Sequence, residues 1–158
     1  LRGDHAMTEL IIDADAHLTE PADVWTARVP QRYLDQVPHV VRGDDGKDNW
    51  VLEGEPFYTI GATATAGWPE PFPDWPKTYE DCHPAAYDAS ARLAYMDEVG
   101  IWAQVLYPNV AGFGSQQFLK LNDPEIMLTC VQAYNDFLTD WSSADPKRLI
   151  PIMAVPPN

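Results

Sequence analysis

Asp13, Asp15 and His17 stand at every second position of Ile11-Ile12-Asp13-Ala14-Asp15-Ala16-His17, and Leu18-Thr19-Glu20-Pro21 follows. A short apolar run thus ends in two acids and a histidine. On an extended strand alternate side chains share a face, so the three are expected to point the same way. Asp15 and His17 sit two residues apart near the strand's C-terminal end, or roughly 6–7 Å of strand. A carboxylate and an imidazole at that spacing can converge on one divalent cation. Three polar side chains on one face of a buried strand are costly unless something compensates them, and a metal would. The alternative is that Asp15 and His17 only cap loops at a strand end. Asp13 reads as a partner behind the ligands or a buried structural acid. Glu20 reads equally as a group facing the pocket or as a turn residue.

The elements that must position these groups follow from the pattern. The first strand runs from Leu10 to about Ala16, and its unbroken apolar start predicts cover on both faces. Glu20 to Trp25 reads as a turn with a short helical piece. Residues 28–84 are the least regular and hold more than half of the prolines. Gly43-Asp44-Asp45-Gly46 predicts a hairpin turn between Val40-Val41 and Trp50-Val51-Leu52. Glu53-Gly54-Glu55 predicts a second turn before Phe57-Tyr58-Thr59-Ile60, so a small antiparallel flap is expected. Gly67 to Pro76 is too rich in proline for helix and reads as an ordered loop. From there Trp68, Phe72 and Trp75 could roof an apolar or aromatic substrate, or simply pack the loop.

Order returns at Ala85. Ala86, Ala89, Leu93 and Met96 form a helical stripe, and Gly100 stands where a helix ends. Ile101 to Tyr107 reads as a strand, ended by Pro108-Asn109 and followed by a loop marked by Gly112 and Gly114. Tyr107 and Asn109 are therefore candidates to line a pocket at that strand's end. Asp123-Pro124-Glu125 is a strong helix start. Met127, Cys130, Val131, Tyr134, Phe137, Leu138 and Trp141 give this helix one continuous apolar face. Asp145-Pro146 breaks the chain, and Leu149 to Val155 reads as a third strand. Strand, insertion, helix, strand, helix, strand is the order of parallel βαβ units, an α/β fold.

Composition narrows the partners. Acids outnumber bases 24 to 10 in 158 residues, a formal charge of −14. That argues against nucleic acid and anionic membrane, which both need basic patches. No apolar run approaches the ~20 residues of a membrane span, and no secretory signal is visible. Cys82 and Cys130 are too few for a disulfide framework, so a reduced, cytoplasmic setting is expected. Leu1 to Ala6 precede Met7 without pattern and read as a remnant outside the fold, leaving residues 7–158 as one domain with an insertion over about 28–84.

Asp15-x-His17 resembles the first metal-binding motif of the amidohydrolase superfamily, closest to its amidohydrolase-related branch, which includes the aminocarboxymuconate-semialdehyde decarboxylase-like enzymes. There a His-x-His pair ends the first barrel strand, and in several decarboxylases a carboxylate replaces the first histidine. Glu20-Pro21-x-x-x-Trp25 looks like the same branch. So does Asp88-x-x-x-Arg92-Leu93-x-x-Met96-Asp97-x-x-Gly100-Ile101-x-x-Gln104-Val105-Leu106-Tyr107-Pro108. Tyr134-Asn135-x-x-Leu138 followed by Asp145-Pro146-x-Arg148-Leu149-Ile150-Pro151 resembles the entry to a third strand.

The resemblance implies the N-terminal portion, strands 1 to 3, of a (β/α)₈ TIM barrel. It implies one divalent metal, Zn²⁺ expected and Mn²⁺ permitted, held by Asp15 and His17. It also implies hydrolysis or non-oxidative decarboxylation, and the carboxylate at position 15 with the aromatic flap points to a small cyclic or aromatic acid as substrate. The family's further histidine ligands and catalytic aspartate come from later strands, so no base is assigned here. His5, His39 and His83 match none of those positions. Two ligands hold a metal poorly, since catalytic zinc usually has three protein ligands plus water. An incomplete barrel also exposes strand edges, so a homo-oligomer or the remainder of the barrel is the expected partner. The competing reading is an inactive barrel fragment that self-associates or binds a partner.

Overall fold

The computed structural model describes residues 10–61, 64–112, 121 and 123–156. The expected remnant over residues 1–6, His5 and Gly114 lie outside them. Eight strands and helices are present among the described residues: β1 (Ile11–His17), β2 (His39–Arg42), β3 (Asp48–Leu52), β4 (Glu55–Thr59), α1 (Ala89–Val99), β5 (Ile101–Tyr107), α2 (Pro124–Ser142) and β6 (Leu149–Pro151). Short 3₁₀ turns occupy Gln31–Gln36 and Pro84–Ala86.

β1, β5 and β6 form a parallel sheet in that order, and β2, β3 and β4 form a separate antiparallel sheet. Each parallel connection contains a helix, as βαβ geometry requires. The two hairpins of the flap fall where the glycine-containing turns place them.

Both helices are set by their caps. Asp88 accepts the Ala91 N–H at 2.7 Å, so α1 starts there rather than at Ala85, whose turn belongs to the preceding 3₁₀ segment. Gly100 ends α1 at φ 78°, a left-handed conformation that costs glycine no Cβ clash. Asp123 accepts the N–H groups of Glu125 and Ile126, with Pro124 in the first turn. The inner face of α2 buries Cys130, Tyr134, Phe137, Leu138 and Trp141.

Trp25 joins the irregular segments to this core. Its indole N–H donates to the Cys130 carbonyl at 3.0 Å. Its ring meets Trp50 of β3 edge-on at 5.2 Å and Tyr134 of α2 at 6.1 Å. The flap is further tied by Asp48, which accepts from Arg42 and from the Tyr79 N–H.

Two expectations change. Leu10, Ile11 and Ile12 are 58%, 54% and 55% exposed rather than covered on both faces. β1 is an edge strand with β5 as its only described neighbour, and its start is covered over less than half its surface by the described residues. β6 covers only Leu149–Pro151 instead of reaching Val155. Beyond it the Asn135 side chain takes both backbone groups of Ala154 at 2.9 Å, replacing a strand partner.

Candidate functional site

The site grows from the end of β1. Asp13 pairs with Gln104 of β5, but Ala16 pairs with Leu106. Three residues of β1 thus face two of β5, a β-bulge at Ala14 and Asp15. The Asp13 carboxylate closes it by accepting the Asp15 backbone N–H at 3.1 Å. The extra residue shifts the alternation. His17 pairs with Tyr107, three residues beyond Gln104, so Asp13 and His17 leave opposite faces of the ladder. This corrects the expectation that all three polar groups share one face. Asp15 and His17 stay together, with Asp15 Oδ1 4.0 Å from His17 Nε2. Asp15 is exposed, while His17 is mostly buried, its ring 6.0 Å from that of Tyr107.

Zinc sits about 2.0–2.2 Å from nitrogen and oxygen ligands. Two donors 4.0 Å apart would have to close by about half an ångström, a side-chain rotation, to share one tetrahedral ion. A carboxylate and an imidazole suit Zn²⁺ or Mn²⁺. The pair fits as two members of a ligand set. Among the described residues no cluster of three or more His, Cys, Asp or Glu side chains supplies the rest.

Asp13 belongs to a buried network whose other members the sequence did not single out as site residues. Gln104 Nε2 donates to Asp13 Oδ2 at 3.0 Å, and Gln104 Oε1 accepts from Arg92 Nη1 at 3.0 Å. Arg92 is 1% exposed. It also donates to the carbonyls of His17 at 3.0 Å, Ala86 at 3.4 Å and Ala85. Burial pushes its pKa down to about 10, and the Asp13 charge opposes that fall. An arginine on the buried side of a helix and a glutamine within an apolar strand were the available signals.

Glu20 ties strand ends together. Its Oε1 accepts the N–H groups of Asn109 at 2.9 Å and Val110 at 3.0 Å. Its own carbonyl accepts the Tyr79 hydroxyl at 2.6 Å. Burial raises the Glu20 pKa to about 7, against the pull of those N–H groups. Burial also pushes the Tyr79 phenol far up, with the Glu20 charge adding to it. Asn109 returns the tie by donating Nδ2 to the Leu18 carbonyl at 2.7 Å. Glu20 and Asn109 thus hold loops. Tyr107 stands beside His17.

A concavity of about 250 Å³ lies along the open edge of β1, bordered by Asp13, Asp15, His17, Arg92, Tyr95 and residues 64–66. Trp68, Phe72 and Trp75, the expected roof, are not among its walls. Phe72 is 89% exposed, and the Lys77 ammonium lies 3.7 Å from the Trp75 ring centre. The insertion presents Ala64, Thr65 and Ala66 instead, drawn in by the Thr19 hydroxyl donating to the Ala64 carbonyl at 3.0 Å. Cys82 and Cys130 are buried thiols with pKa values raised to about 11 and 12, mainly by burial. That suits packing rather than nucleophilic chemistry.

The architecture is that of an α/β protein with polar groups gathered at the C-terminal end of a parallel strand. Neither family models nor curated proteins match the chain. Among solved structures, an amidohydrolase of Mycobacterium avium subsp. paratuberculosis K-10 is similar, with a TM-score of 0.66 and 21% identity. The match covers 94% of this chain and 43% of that one, so the chain spans less than half the neighbour's length. At that identity the likeness is one of fold. No described helix is long and apolar enough to cross a membrane.

Proposed function

We propose that this chain is the leading part of an amidohydrolase-like (β/α)₈ barrel, of the amidohydrolase-related branch, whose chemistry depends on one divalent metal. The observation that carries the reading is the Asp15–His17 pair, 4.0 Å apart at the C-terminal end of a parallel strand, where barrel enzymes place their sites. The amidohydrolase-like fold supports it.

Asp15 and His17 would hold the ion. When bound, such an ion polarises a carbonyl and lowers the pKa of water. Tyr107 flanks the imidazole, and Glu20 and Asn109 keep the ends of β1 and β5 at fixed separation. Hydrolysis of a small acid substrate is the leading reaction. The carboxylate at position 15 favours non-oxidative decarboxylation as its counterpart. A cyclic or aromatic substrate would enter along the concavity beside residues 64–66 rather than beneath the tryptophans.

Titration of Co²⁺ into the purified chain, read by its visible absorption, tests the pair. Wild type should bind Co²⁺ measurably but weakly, as two protein ligands allow, and His17→Ala and Asp15→Ala should each weaken it further. Equal binding by all three proteins sinks the assignment.

A second reading is a barrel piece that acts by association. Ile11 and Ile12 of the edge strand β1 and Ile150 of the edge strand β6 are exposed, which would suit pairing with further chain. Sedimentation of a metal-free chain as a stable oligomer would favour it, and a monomer would not.

A further inference from the structure

We propose that Arg92 and Gln104 are positioning residues that act through Asp13 to hold the bulge on which the Asp15–His17 pair is carried. The inference rests on the reading of Asp15 and His17 as the functional pair, but its geometry stands apart from any metal.

The relay has a fixed polarity. Guanidinium groups only donate and carboxylates only accept. Gln104 must therefore turn its oxygen to Arg92 and its amide nitrogen to Asp13, as observed at 3.0 Å on each side. Asp13 then has its other oxygen for the Asp15 N–H at 3.1 Å. Arg92 also holds the far end of the segment, donating to the His17 carbonyl at 3.0 Å. One buried side chain on α1 thus grips residues 13–17 at both ends. The bulge between those ends is where the Asp15 backbone departs from the ladder. An alternating strand needs no such brace, whereas a bulge leaves backbone groups outside the ladder.

The polarity makes the relay testable by exchange of two similar groups. Asp13→Asn turns one of the two accepting oxygens into an NH₂ donor, which then faces either the Gln104 amide N–H or the Asp15 N–H donor to donor. Gln104→Glu alone sets two carboxylates against each other. The double variant, Asp13→Asn with Gln104→Glu, restores the order. Its carboxylate at position 104 accepts from Arg92 and from the new amide at position 13, whose oxygen accepts the Asp15 N–H.

Two measurements on the full 158-residue chain read the outcome. One is amide hydrogen exchange at Asp15, and the other is Co²⁺ affinity. Each single variant should speed exchange at Asp15 and weaken Co²⁺ by about tenfold or more, the usual effect of losing a group behind the ligands. The double variant should recover most of both. A double variant as impaired as the singles, or an Asp13→Asn chain unchanged in both readouts, overturns the relay. If wild type takes up no Co²⁺, the metal reading falls, and exchange at Asp15 alone decides the relay. If a single variant does not fold, a folded double variant supports the relay, and a double variant that also fails overturns it.

Discussion

Glu20 Oε1 accepts the Val110 backbone N–H at 3.0 Å across ninety residues of chain. This bond, with its companion from Asn109, fastens the loop after β1 to the loop after β5. The carboxyl is 1% exposed, so its charge is costly there even with two donors on one oxygen.

The pH dependence follows from that cost. The Glu20 pKa rises from 4.5 to about 7 on folding. Between those values the folded chain keeps a proton that the unfolded chain has released. Its contribution to stability is therefore full below about pH 4.5, fades as pH rises, and is gone above about pH 7. The span is worth roughly 3 kcal/mol. Glu20→Gln keeps the accepting oxygen without the charge. Urea midpoints at pH 5 and pH 8 should diverge for wild type and lie closer together for Glu20→Gln. A variant with the wild-type slope would place the titration on another group.

Much of the scaffold was legible because short-range chemistry decides it. Asp88, Gly100 and Asp123 mark helix ends by their own backbone bonds, and the Gly46 and Gly54 turns mark the flap. The nearness of Asp15 and His17 followed from strand periodicity. The face of Asp13 did not, because a bulge adds a residue without leaving a signature in Ala14. Arg92 and Gln104 escaped as site residues because their purpose lies in Asp13, ninety-one residues from Gln104. Aromatic content suggested a roof over the site, yet composition carries no direction, and residues 64–66 approach instead.

Arg92→Met should be far more damaging than an ordinary surface change. It leaves Asp13 without its charge partner, and it strips the carbonyls of Ala85, Ala86 and His17 of a donor. Removing one member of a buried charged network costs about 3–5 kcal/mol. Urea denaturation at pH 7 measures it. A loss under about 1 kcal/mol would mean that water replaces the guanidinium and the network is not closed.

Two left-handed glycines should respond differently to alanine. Gly100 has φ 78° and open space where a Cβ would sit, so Gly100→Ala incurs only the backbone cost, about 1 kcal/mol. Gly67 has φ 75°, and its Cβ would lie 2.4 Å from the His83 ring. Gly67→Ala must therefore displace His83 from its contacts with the Ala85 N–H and the Tyr95 ring. Thermal melts of the two variants should show the larger drop at position 67, and equal drops would remove the steric argument.

Asp15→His tests which donor chemistry position 15 supplies. The side chain is 85% exposed, so the larger imidazole fits without repacking, and the fold should keep its stability within about 0.5 kcal/mol. Replacing oxygen by nitrogen removes a donor suited to Mn²⁺ and adds one suited to Zn²⁺. With His17 unchanged, the ratio of Zn²⁺ to Mn²⁺ affinity should rise on the order of tenfold. Competition titration against a chromophoric chelator gives both constants. If the ratio does not move while His17→Ala still weakens binding, the ion contacts His17 without Asp15, and the carboxylate belongs to the loop rather than to the metal.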